Sequence, residues 1–472
     1  MKTPVQELSI ERTEYGPTRR LAEFAAKLTW HDLTPEVVAK LKLHILDTIG
    51  CGIFGASRPW SEIVRNVARR FESNGQCVLW GTSLRASGLT AALVNGTAAH
   101  GYELDDIYVP GAMHPGPPTV AAALGAVAQA PNPINGQQML VAIAAGYEVG
   151  VRISACMGIS HLLKGWHPTG TTGVFCAAAA AGRILELDTE KMVHALGTAG
   201  PHASGLIAAQ YGGMAKRLYV GHAAQSGLFA ASLAQDGFEG IQNVLEAQYG
   251  GYVRTFDGRG NPNEIVDGLG KRYEFMNTGF KRYPTAGAIH GGVDALDQIQ
   301  VQHQLNANEV ESITAYVSHS TQEHCGWKYV PKGATSAQMN LSFALANRLI
   351  RGRLTVAEFE EGNINSPEVL SLVEKITVIS AEDINNLGEK SRYSTRLVVR
   401  AKNGKEYIAT VHNPKGTIAN PFDSEDVKGK FRDLVSGMLS ADQIERIVET
   451  VLSLEGVDDI RELERILALR YC

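Results

Sequence analysis

From residue 88 to residue 236 the chain repeats one pattern: alanine-rich apolar runs of helical length, seeded with glycine and separated by Gly/Pro breaks. Alanine loses almost no side-chain entropy in a helix, and β-branched residues are sparse here, so the runs predict helices and not strands. The stretches 88–100, 117–129, 137–156, 171–186, 190–199 and 215–236 fit, with Ala177 to Ala181 the densest alanine run. Residues this small let helix axes approach closely. Upstream, 35–54 places Val38, Leu41, Ile45 and Ile49 on one broad apolar face, with Thr34 as cap and Pro35 at the first turn. Residues 61–72 read as an amphipathic helix.

The pattern changes near residue 270. Segments 311–320, 374–383 and 395–412 alternate apolar and polar side chains, as half-buried strands do. Lys402-Asn403-Gly404-Lys405 divides the last of them as a hairpin turn. Helical patterns at 287–301, 336–350 and 355–361 intervene, and from Ser424 the chain returns to helices. The expected fold class is mainly α: a large all-helical domain (1–270), a smaller α+β lid domain (271–415), and C-terminal helices (416–472) that return to the first domain. A chain of 472 residues is too long for one ordinary core, which agrees.

Composition removes several functions. Lys+Arg total 44 against Asp+Glu 49, a net charge of −5, so nucleic acid is not the expected partner. The six cysteines (51, 77, 156, 176, 325 and 472) form no CxxC pair, which argues against a zinc ribbon, an iron–sulfur site or a disulfide framework. The first residues, MKTPVQELSIERTEYG, are polar with no signal-peptide core, so a cytoplasmic setting is expected. Met192 to Ala215 is uncharged and of membrane-spanning length, but His194, Pro201, His202 and Gln210 make a buried segment the better reading, and no membrane partner is expected. No nucleotide-binding glycine motif, GxSxG elbow or HExxH spacing occurs.

Four segments place titratable groups at Gly/Pro-rich turns inside apolar surroundings: 98–118, 164–173, 209–224 and 279–292. Each residue alone has a bland reading. His114 could be a loop histidine, His167 a cap packed on Trp166, Lys216 a solvated lysine and His290 a core histidine. Together they offer cations and acid–base groups to a polyanionic small molecule, with Glu103, Asp105 and Asp106 adding carboxylates. The ELDD run (103–106), with His100 or His114, also leaves a Mg²⁺ hydrolase to be weighed.

In chain order, LDTIGCGIFGA (46–56), NGTAAHGYELDD (95–106), HPGPP (114–118), GWHPTGTTGVFCAAAAAGRILEL (165–187), QYGGMAKR (210–217) and YPTAGAIHGG (283–292) resemble the MmgE/PrpD family. That family contains 2-methylcitrate dehydratases, cis-aconitate decarboxylases and an iminodisuccinate epimerase. QYGGMAKR and EHCGW (323–327) are similar to the fungal decarboxylase type. The resemblance implies a helical body with a lid, a homodimer, no metal and no organic cofactor. It implies a lyase acting on a small di- or tricarboxylate, by dehydration or decarboxylation. A dicarboxylate epimerase and a non-catalytic polycarboxylate binder are the alternatives. His114, His167 and Glu103 then become the catalytic candidates, and Lys216, His290 and Arg217 the substrate-binding ones. The decarboxylases carry a lid-helix tyrosine where this chain aligns Phe343.

Overall fold

The computed structural model describes residues 16–72, 74–256 and 259–468. The polar N-terminal fifteen residues and Cys472, both used above, lie outside the described residues. Seven helices position the site in the body: α1 (Pro35–Gly55), α2 (Gly88–Ala99), α3 (Gly116–Ala126), α4 (Gly136–Leu163), α5 (Pro168–Ile184), α6 (Ala215–Gln235) and, late in the chain, a helix at Ser424–Val435. Local chemistry starts several of them. Thr34 caps α1 ahead of Pro35 by accepting from Val37 N–H at 3.4 Å. Asn135 and Gln138 form a reciprocal capping box on α4, both bonds 2.9 Å.

The small residues do what the alanine pattern implied. A Cβ on Gly221 of α6 would lie 2.2 Å from the Leu93 carbonyl oxygen of α2, so these two backbones touch. A Cβ on Gly150 of α4 would lie 1.9 Å from Cys176 Sγ of α5. The axes are thus as close as helices can come, and larger side chains would force them apart. The Met192–Ala215 stretch is no single span: a helix ends at Ala199, and 3₁₀ turns follow at Gly200–His202 and Ile207–Tyr211. Helix α4 is long and apolar enough to cross a membrane by composition, yet 89% of its most apolar stretch is buried inside the molecule.

Beyond residue 280 lie the elements of a smaller α+β part: α7 (His290–His303), β1 (Val310–Val317), α8 (His319–Cys325), α9 (Leu341–Arg351), β2 (Ile376–Ser380), β3 (Thr395–Ala401) and β4 (Glu406–Val411). The strands form one sheet in the order β2-β1-β3-β4. Strands β1 and β2 run parallel with Ile313 opposite Ile376, while β1–β3 and β3–β4 are antiparallel. Ile313, Ala315 and Val317 point inward with the period of 2 expected of a half-buried strand, and a register shift between Val310 and Ser312 lets Val310 be buried as well. The hairpin closes over residues 402–405, where Gly404 supplies φ +83°.

One apolar core joins Leu21 through Phe280 with Val427 through Leu467, so the C-terminal helices pack into the helical body. A second core holds Tyr283 through Val411 and reaches back to Phe54, Trp60, Tyr102, Leu104 and Ile107 of the body. The site lies at that seam.

Candidate active site

The loop after α2 is the floor of the site. Glu103 takes a left-handed backbone (φ 56°), a conformation costly for a non-glycine residue, by roughly 1–3 kcal/mol. The conformation turns its carboxylate inward, where it is 1% exposed. Its Oε1 meets the Lys216 ammonium and the Arg217 guanidinium, and its Oε2 accepts from Lys281 Nζ at 3.0 Å. Burial alone would raise its pKa, but Lys216, Lys281 and Arg217 outweigh burial and hold it well below the usual carboxylate range. Three cations against the carboxylates of Glu103 and Asp105 leave excess positive charge for an anionic guest.

His114 and His167 are brought together at one cavity in opposite tautomers. His114 Nδ1 lies 2.5 Å from the Asp106 carbonyl oxygen, which can only accept. The proton is therefore on Nδ1, and Nε2 carries a lone pair. Asp106 is itself fixed, its carboxylate accepting from Tyr147 O–H at 2.8 Å and Gly116 N–H at 3.0 Å. His167 caps α5, its Nδ1 accepting from Gly170 N–H at 3.2 Å. Here the proton must be on Nε2. Burial, followed by Lys281 for His114 and Lys216 for His167, pushes both imidazoles well below their ordinary pKa, so both are neutral at physiological pH. One ring is a ready acceptor and the other a ready donor.

Lys216, at the start of α6, is 3% exposed and lines the same cavity. Burial, with Arg217 and Lys281, lowers its pKa to about 8, against the opposing pull of Glu103. The α+β part contributes Ala286–Ala288, Ser320, Thr321, His324, Met339, Arg392 and Tyr393 to the lining. The unfilled space between all these groups, counted out to the mouth, is about 540 Å³.

Arg217 and His290 sit elsewhere than the cavity lining. Arg217 spends its fork on Glu103 and on Gln338 Oε1 (2.6 Å), over the Trp60 ring. Through its Nη1 it supports Glu103, and its side chain is absent from the cavity lining. His290 is the first residue of α7, and the 3₁₀ turn before it gives the cavity Gly287 and Ala288 instead; its ring packs edge-on to Tyr283 at 5.1 Å. Phe343 also stays out of the cavity lining, its ring tilted against those of Tyr329 (4.8 Å) and Phe359 (5.7 Å) in the second core.

Three groups at or beside the cavity were not singled out by the sequence reading, Lys281, His324 and Arg392, and His100 was read there only as a possible metal ligand. Lys281 lies inside the GFKRYP segment and His100 three residues before Glu103, so a signal existed for both. For His324 and Arg392 only the EHCGW similarity hinted at the first.

His100, Asp105 and His114 are close enough for a metal site to be weighed, their donor atoms lying within 4.8 Å of one another. They do not fit one. His100 Nδ1–H is bonded to Asp105 (2.7 Å), His100 Nε2 faces the Lys216 ammonium (3.3 Å), and His114 Nδ1 is held by a carbonyl. Lys281 Nζ, 3.8 Å from Asp105, would repel a divalent ion further.

Fold and site together define a mainly helical protein with a cavity, between its helical body and its α+β part, lined by imidazole and ammonium groups. The chain belongs to the MmgE/PrpD family: the family's N-terminal domain matches residues 19–263 and its C-terminal domain residues 283–455. It is 32% identical to the cis-aconitate decarboxylase-like protein oryM of Aspergillus oryzae, over 95% of this chain and 97% of that protein. It is 31% identical to the cis-aconitate decarboxylase of Aspergillus terreus, with 96% of each covered. Against the human cis-aconitate decarboxylase the identity is 29%, over 92% of this chain and 91% of that one.

Proposed function

We propose that this protein is a lyase that decarboxylates a small tricarboxylate of the cis-aconitate type by imidazole acid–base chemistry, with residues 271–415 acting as its lid. The observation that carries the reading is the complementary pair, His114 with a free Nε2 lone pair and His167 with an Nε2–H, at one cation-rich cavity. The relatives named above, all carrying cis-aconitate decarboxylase in their names, support the choice among the family's reactions.

The substrate enters as an acid still carrying one proton. His114 Nε2 takes that proton from the departing carboxyl group. The bond from that carboxylate to its carbon then breaks, CO₂ leaves, and the electron pair moves into the adjacent double bond system. His167 Nε2–H supplies a proton to the carbon that receives the pair, so a dianion and CO₂ result and the charge balances. The step leaves His114 as an imidazolium and His167 as an imidazolate, and one proton passed from His114 to His167 through solvent on lid opening restores both neutral rings. Lys216 holds a remaining carboxylate, and Glu103 keeps Lys216 charged and placed. Closing the lid strengthens each of these charges by excluding water.

A substrate comparison tests the assignment. Cis-aconitate, citrate, 2-methylcitrate and an iminodisuccinate enantiomer are offered separately, and CO₂ release, double-bond absorbance and product chirality are followed. The expected result is CO₂ release from the unsaturated tricarboxylate. Loss of water from citrate or 2-methylcitrate without CO₂ would assign a dehydratase, and racemised dicarboxylate an epimerase.

A further inference from the structure

His100 has no assigned role, yet it is the most connected ring in the site. It is fully buried, and it links the Asp105 carboxylate to the cavity lysine, which Glu103 reaches directly. Its Nδ1 lies 2.7 Å from Asp105 Oδ2, and its Nε2 lies 3.3 Å from Lys216 Nζ. Its ring centre is 5.0 Å from that of His114 and 5.4 Å from that of His167. A carboxylate only accepts, so Asp105 fixes the His100 proton on Nδ1 and leaves a lone pair on Nε2. That lone pair can receive one Lys216 N–H.

Lysine has three N–H donors. Glu103 Oε1 takes one and His100 Nε2 a second. One is left, and Lys216 lines the cavity. We propose that the Asp105–His100 pair is a positioning device that holds Lys216 as an ammonium and aims its single remaining N–H at a substrate carboxylate. The holding part of the inference stands on geometry alone, and the aiming part rests on the function proposed above.

Other groups face Lys216 from every side. Glu103 favours its charge, whereas Arg217 beside it and Lys281 from the approach to the lid oppose it. His167 at the start of α5 and His324 on α8 are pushed toward neutrality, by burial first and then by Lys216 itself, and so add no competing charge. Among these, His100 is a neutral acceptor whose orientation depends on a second residue.

Two substitutions separate positioning from packing. His100→Asn keeps a donor for Asp105 but is too short to accept from Lys216. His100→Gln can place an amide oxygen near the Nε2 position. The Lys216 pKa is read without any substrate, from the pH dependence of its acetylation by acetic anhydride, followed by mass spectrometry at that residue. It is read again as the alkaline limb of kcat/KM. His100→Asn is expected to lower the pKa by about one unit. It should also cut kcat/KM by on the order of 10–100-fold, mostly through KM. His100→Gln is expected to recover most of both. An unchanged Lys216 pKa in both His100 variants overturns the proposal, even if thermal stability falls. A shifted pKa with no tricarboxylate turnover in the parent would instead retain the device and remove the decarboxylase reading.

Discussion

His114→Ala is expected to lower turnover of cis-aconitate by about 10²–10⁴-fold, with the fold intact. The ring is 7% exposed and its Nδ1 is tied to the Asp106 carbonyl, so only Nε2 is available to chemistry. Without it the departing carboxyl group loses the base assigned to it. His167 needs a subtler variant, because its Nδ1 also caps α5, and alanine at a helix cap costs about 1 kcal/mol of stability. Asparagine caps helices well, so His167→Asn should keep the helix start while removing the donor. A loss of the same order as in His114→Ala, with an unchanged melting temperature, is the expected pattern in single-turnover assays. Full turnover in both variants would remove these two residues from the mechanism.

Lys216→Met should weaken kcat/KM by a comparable amount for a different reason. Truncating one partner of a buried charged hydrogen bond costs roughly 2–5 kcal/mol, or about 30- to 5,000-fold. Part of that cost is the Glu103 carboxylate left with only Arg217 and Lys281. The pH dependence carries a sign. Because burial brings the Lys216 pKa down to about 8, the ammonium is the main form at neutral pH and is lost as pH rises through that value. The parent's kcat/KM should therefore fall on the alkaline side with an apparent pKa near 8, and this limb should be missing in Lys216→Met. His114 and His167 protonate only well below their ordinary range, so they place no limb between that range and the lysine's. A parent profile flat through the alkaline region would show that the Lys216 charge is not used.

Periodicity carried the fold a long way. The alanine–glycine runs predicted close-packed helices, and Gly221 against Leu93 shows why no larger residue fits. The Lys402–Lys405 turn predicted the β3–β4 hairpin, and alternation marked β1 to β4. Alternation could not reveal that β2 pairs parallel to β1 across a long crossover. At the site, Gly/Pro-marked turns drew attention to the segments holding His114, His167, Lys216 and Glu103, and the family resemblance gave those residues their roles. It pointed equally to His290, since nothing local tells a ring packed on Tyr283 from one facing a cavity one turn away. Arg217 adjoins Lys216 in sequence, but successive helix positions face about 100° apart, and that rotation sends it to Gln338 and Trp60. Lys281 and Arg392 reach the site only through tertiary packing, which no window of sequence contains.

The most direct test of imidazole-driven decarboxylation is turnover of cis-aconitate in D₂O, with CO₂ and product followed together by mass spectrometry and NMR. One CO₂ and one carbon-bound deuterium per molecule consumed, both lost in His167→Asn, is the predicted result. Consumption without CO₂, or CO₂ release with no deuterium on carbon, would contradict it.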